Sequence, residues 1–97
     1  MFKVVFDNAV LKEDLRAIDK ADQQRIIKTI RKKLTTHPDQ YGNPLSGALK
    51  GYWKLKIGIY RVVYRISKKE IQVFVVAIGF RREQEVYLEA ARRLGFI

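Results

Sequence analysis

The chain has 97 residues, 47% of them apolar, with five Tyr, five Phe and one Trp: enough for one folded domain and too short for two. Twenty Lys and Arg against ten Asp and Glu leave a formal charge of +10, so self-repulsion disfavours the free chain and a polyanionic partner is expected. With no cysteine, disulfides and thiolate chemistry are excluded. No segment approaches the ~20 apolar residues needed to cross a bilayer. The apolar start Met1–Phe6 is too short for a signal peptide, so a cytoplasmic protein with no membrane contact is expected.

Phe2 to Phe6 reads as a first strand, rich in β-favouring residues. Asp7 or Asn8 then caps a short helix whose apolar positions Val10, Leu11, Leu15 and Ile18 fit a 3.6 period. Asp19 caps a second helix with the apolar stripe Ile26, Ile27, Ile30 and Leu34, and Pro38 ends it. Its outward face is basic: Arg25, Lys28, Arg31, Lys32 and Lys33. Residues from His37 to Leu49 read as a loop. A three-stranded meander follows, with turns near Gly58 and at Ser67-Lys68-Lys69-Glu70. Its last strand, Ile71 to Ile78, is apolar on nearly both faces, so it should sit centrally and be covered on both sides. Gly79 is expected to break that strand, and a closing helix from about Arg82 to Leu94 to stop at Gly95. The fold class is α+β: an N-terminal strand and α-helical hairpin packed on a small, mainly antiparallel β-sheet with a C-terminal helix, all in one domain.

The meander concentrates charge. Between Lys50 and Arg82 stand nine of the twenty basic residues and a single acid, Glu70. Alternation puts Lys54 and Lys56 on one face of their strand, opposite Trp53, Leu55 and Ile57. It does the same for Arg61 and Arg65, opposite Tyr60, Val62, Tyr64 and Ile66. If the apolar faces join, four cations share one side of the sheet. A plain solvated sheet face is the competing reading of the same pattern.

The stretch Asn43-Pro44-Leu45-Ser46-Gly47 through Gly51-Tyr52-Trp53-Lys54-Leu55-Lys56-Ile57-Gly58-Ile59-Tyr60-Arg61-Val62-Val63-Tyr64 resembles the RelE branch of the RelE/ParE toxin superfamily. Ile78-Gly79-Phe80-Arg81-Arg82-Glu83-Gln84-Glu85-Val86-Tyr87, followed by Ala90 and Arg93-Leu94, looks like the RelE ending. The resemblance runs along essentially the whole chain. It implies the toxin of a type II toxin–antitoxin pair, a metal-independent endonuclease that enters the ribosomal A site and cuts mRNA. Carried over, the strand lysines fall on Lys54 and Lys56, the catalytic arginines on Arg61 and Arg81, and the active-site tyrosine on Tyr87. It also implies a RelB-like antitoxin as partner, and operator DNA contacted through that antitoxin. No cofactor and no metal are implied.

The chemistry is coherent on the residues alone. Cleavage by the RNA's own 2′-hydroxyl needs a base, cations for the developing dianionic phosphorane, and an acid for the 5′-oxygen. The usual histidine or carboxylate pair is missing: His37 is the one histidine, beside Pro38, and Glu70 sits in a lysine-rich turn. Lys54 or Lys56, crowded by other cations, suits the base. Arg61 and Arg81 offer planar forks for phosphate, and Tyr87 could stack on a base. Spacing alone reads Tyr87 as a helix anchor, in register with Ala90, Ala91 and Leu94. Arg65 and the helical Arg25, Lys28, Arg31 and Lys32 read as RNA-phosphate contacts or as solvated surface. Two alternatives stand beside the ribosome-dependent nuclease: a ParE-like DNA gyrase inhibitor, and a non-catalytic RNA-binding module.

Overall fold

The computed structural model describes residues 1–80 and 84–97. Strand β1 (Lys3–Phe6) lies parallel to β5 (Gln72–Phe80), whose other edge pairs antiparallel with β4 (Tyr60–Ser67). β4 pairs with β3 (Trp53–Ile57), and β3 with the two-residue β2 (Asn43–Pro44). The order is β1-β5-β4-β3-β2. Within the expected loop, α2 (Pro38–Tyr41) precedes β2 and a 3₁₀ turn over Gly47–Leu49 follows it.

Helix α1 (Lys20–Lys33) starts as its sequence dictates, with Asp19 Oδ1 accepting the Asp22 N–H at 2.9 Å. Its Ile26 and Ile30, and Leu34 just beyond, are fully buried in one core with Leu55, Ile57, Val62 and Tyr64. The first helical arm is less regular than its 3.6 period suggests. A π turn over Val10–Asp14 runs into a 3₁₀ turn over Leu15–Ala17, and Leu11 is 48% exposed. The widened turn swings Asp14 onto the sheet, where its carboxylate accepts the Ile78 N–H at 2.8 Å. Ile18 is already extended, so the arm ends one residue before the next cap.

A bulge in β5 shifts which of its residues face each side of the sheet. Val63 pairs with Ala77 while Tyr64 pairs with Val75, leaving Val76 as an extra residue. Val73, Val75 and Ile78 therefore join the α1 core. Val76 and Ala77 join a second core, with Val63 and with Val86, Ala90 and Ala91 of helix α3 (Glu85–Arg93). β5 is covered on both sides, as its apolar composition requires. Gly79 does not break it: the strand continues to Phe80. A Cβ at Gly79 would lie 3.3 Å from Val86 Cβ, so the glycine admits the start of α3. The expected helix start near Arg82 lies outside the described residues.

Two tyrosines tie the α1 side together. Tyr60 donates to Asp22 Oδ2 at 2.7 Å, and the fully buried Tyr64 donates to the Pro38 carbonyl at 2.6 Å. Burial, helped by Asp39, holds the Tyr64 pKa well above the ordinary phenol value of 10. A folded pKa above the unfolded one means this stability is complete below pH 10 and is lost as pH rises through the folded value. Tyr64→Phe is expected to flatten the fall in stability above about pH 10, measured by urea unfolding from pH 8 to 11. At neutral pH it should cost about 1–2 kcal/mol, because the Pro38 carbonyl loses its donor.

Gly42 sits under the same hydroxyl. A Cβ there would come within 1.9 Å of Tyr64 Oη and 2.8 Å of the Lys54 carbonyl oxygen. Gly42→Ala is expected to cost about 3 kcal/mol by overpacking. Thermal unfolding in the Tyr64→Phe background should recover part of that loss.

Candidate functional site

The β3–β4 hairpin turns tightly at Gly58, whose φ of 58° favours glycine. The short turn sets Lys56 directly opposite Arg61, with Lys54 two residues back on the same face. Arg61 Nη1 donates to the Gly58 carbonyl at 3.0 Å and to the Tyr60 carbonyl at 2.8 Å, fixing one edge of its guanidinium. Helix α3 brings Tyr87 to this cluster. The half-buried Tyr87 ring stands 6.0 Å from Lys54 Nζ, at the outer range of a cation–π contact. Burial raises the Tyr87 pKa, and the nearby positive charge of Arg61 pulls the other way. The net shift is upward, so the phenol keeps its proton at neutral pH and can donate it in a hydrogen bond.

Lys54, Lys56, Arg61 and Tyr87 thus meet at one end of the sheet. The other expected residues are distributed differently. Arg65 shares the face, but four residues along β4 put it about 13 Å from Arg61. Val63, buried under α3, lies between them. The Arg65 guanidinium instead covers the Phe74 ring at 4.5 Å. The four strand cations are on one side of the sheet, and α3 divides them three to one. Arg25, Lys28, Arg31 and Lys32 are exposed on α1, which packs on the opposite face. Of these, Arg25 reaches the hairpin: its Nη1 is 3.4 Å from where a Gly58 Cβ would stand. Arg81 lies outside the described residues. Among the described residues, no group of three His, Cys, Asp or Glu is placed to hold a metal ion.

Beside the cluster lies a trough of about 240 Å³ lined by Leu45, Ser46, Leu49, Lys54, Gln84 and Tyr87. It continues between Ala48, Leu88 and Ile97. The sequence pattern does not mark Ser46 or Gln84 as a site residue. Both stand in irregular segments, where no periodicity marks a side chain as facing a site.

A sheet face bearing cations, with a tyrosine brought to it by α3, suits more than one polyanion; similarity to known proteins narrows the choice. The family model for the ParE toxin of the type II toxin–antitoxin system parDE matches residues 4–85. The chain belongs to the RelE/ParE toxin superfamily. Within it, the mRNA interferase toxin RelE of Escherichia coli K12 is 33% identical over 90 residues, covering 92% of this chain and 93% of RelE. A mutant of E. coli RelE solved in the free state superposes with a TM-score of 0.75 at 27% identity, over 96% of this chain and 97% of that one. The same RelE mutant bound to a RelB antitoxin peptide gives a TM-score of 0.70 at 28% identity, over 92% and 93% of the two chains. This chain is therefore a RelE-like member of a toxin family, with the mixed sheet and closing helix of that fold.

Proposed function

We propose that this chain is a ribosome-dependent mRNA endonuclease toxin that cuts the codon in the A site and stops translation. The observation that carries the reading is the convergence of Lys54, Lys56 and Arg61 from one hairpin with Tyr87 from α3. The name mRNA interferase borne by the E. coli relative supports it. Arg81 is assigned to the same site from the sequence.

In this reading Lys54 or Lys56 takes the proton of the 2′-hydroxyl, and O2′ attacks the adjacent phosphorus. The P–O5′ bond breaks and the departing O5′ takes up a proton, leaving a 2′,3′-cyclic phosphate and a 5′-hydroxyl. Arg61 and Arg81 stabilise the dianionic phosphorane through charge-assisted hydrogen bonds, which no metal ion is needed to supply. Arg61 suits this because two carbonyls hold one edge of its fork while the rest stays available. Tyr87 stacks on an unstacked base and fixes the attack geometry. The ribosome aligns the strand; Arg65 and the α1 residues Arg25, Lys28, Arg31 and Lys32 grip RNA phosphates away from the reacting atoms.

A RelB-like antitoxin neutralises the toxin, laid over this basic surface and contacting operator DNA on the pair's behalf. The toxin acts in the cytoplasm as a single domain spanning residues 1–97. A second reading, inhibition of DNA gyrase, is favoured by the match of residues 4–85 to the ParE family model. Two assays separate them: peptide synthesis in a purified translation system, and supercoiling by purified gyrase. Arrest of synthesis with supercoiling intact is expected. The reverse pattern transfers the function to gyrase, and loss of neither leaves an RNA-binding module.

A further inference from the structure

The trough beside Tyr87 has the composition of a site that reads a base. Leu45 and Leu49 supply apolar lining, the Tyr87 ring gives a stacking surface, and Lys54 stands at the cluster end where a phosphate would lie. Among the described residues, two uncharged polar side chains also line it, Ser46 and Gln84. Each occupies a helix N-cap position, Ser46 before the 3₁₀ turn and Gln84 before α3. Neither uses its side chain to cap its helix among the described residues. Gln84 also holds φ 60° and ψ 20°, a left-handed conformation that costs a non-glycine residue energy. Its amide is exposed on the trough, with no capping hydrogen bond among the described residues. An amide offers a donor and an acceptor side by side, and a hydroxyl offers one of each, which is what discriminating base edges requires.

We propose that this trough is a base-selecting subsite in which Gln84 and Ser46 read the edge of the RNA base stacked on Tyr87. The inference rests on the nuclease reading and adds a source of codon preference within the protein. The ribosome presents every codon alike to the Lys54, Lys56 and Arg61 cluster, whereas only bases matching the two side chains seat fully in the trough.

Cleavage rates are to be measured on ribosomes programmed with a panel of A-site codons varied at each position. For Gln84→Ala and Ser46→Ala, kcat/KM on the best codons is expected to fall about tenfold while the poorest codons change less than threefold. The preference would therefore flatten. Gln84→Glu keeps an acceptor and loses the donor, so it should reorder the codons towards bases presenting an amino group, cytosine first. Both positions are exposed, and circular dichroism is expected to match the wild type. A wild type that cuts with clear preferences, and variants that keep the same ranking within threefold, would overturn the subsite alone. A wild type that cuts no codon on ribosomes overturns the nuclease reading with it.

Discussion

Arg61→Ala is expected to lower codon cleavage on programmed ribosomes by about 10²–10³-fold, the usual loss when one preorganised charge-stabilising donor is removed. The expectation depends on how Arg61 is held. The Gly58 and Tyr60 carbonyls fix one edge of the guanidinium at 3.0 and 2.8 Å before any substrate arrives. Little reorganisation is then required as charge develops on phosphate. The loss should fall mainly on kcat, since an interaction made only in the transition state leaves substrate affinity nearly intact. Arg61→Lys keeps the charge but not the fork, and should recover only part of the rate. Lys28→Ala, on the far side of the sheet, should instead weaken ribosome binding modestly and reduce its salt dependence. Single-turnover cleavage at several salt concentrations separates these two signatures.

Asp14→Ala is expected to destabilise the fold by about 3 kcal/mol, the lower end of the cost of stripping one partner from a buried ion pair, because this pair is largely rather than fully buried and Arg93 keeps Glu89. Asp14 and Arg93 form a bidentate pair, Nη2 to Oδ1 at 2.7 Å and Nη1 to Oδ2 at 2.8 Å. Their side chains are only 11% and 12% exposed, so solvent screens the pair little. Asp14 also accepts the Ile78 N–H, and Arg93 donates to the Val76 carbonyl at 3.0 Å. One of those backbone groups belongs to the bulged Val76 and the other lies two residues on, both beyond Val75, where the register of β1 with β5 ends. One ion pair thus completes the hydrogen bonding of β5 and anchors α3, the helix that carries Tyr87. Thermal unfolding should move down by roughly 10–25 °C. Glu89 bonds Arg93 Nε at 3.2 Å from a position 37% exposed, and its removal should cost under about 1 kcal/mol. A double variant, Asp14→Ala with Arg93→Met, should lose less than the sum of the singles, since no buried charge is left unpaired.

These two expectations mark what the sequence makes legible. Strict alternation in β3 and β4 puts Lys54, Lys56 and Arg61 on one face, and that reading needs no tertiary knowledge. The Asp19 cap and the α1 stripe are equally local, and the structure has both. The bulge at Val76 is different. β5 is apolar on both faces, so no alternation exists for an extra residue to interrupt. The π turn at Val10–Asp14 is invisible for a longer-range reason. Asp14 leaves helical regularity to meet Arg93, 79 positions away. Gly79 resembled a strand breaker because the sequence does not reveal that Val86 passes 3.3 Å from its missing Cβ. The separation of Arg65 from Arg61 has the same origin, since only the path of α3 shows which strand cations it divides. Tyr87 illustrates the converse. Its spacing with Ala90, Ala91 and Leu94 marks it as a core residue, and it does pack against the second core. Lys54 nonetheless stands over its ring and Arg61 is close enough to influence its hydroxyl, so one side chain serves packing and site together.

The most direct measurement is cleavage mapping on purified ribosomes carrying an mRNA with a single 2′-deoxynucleotide at the scissile position of the A-site codon, beside the all-ribose message and the same messages without ribosomes. Cleavage of the ribose message at the A-site codon alone, only on ribosomes, leaving a 2′,3′-cyclic phosphate and sparing the deoxy message, is the predicted result. Equal cutting of the deoxy message, or cutting that ignores the ribosome, would contradict the account.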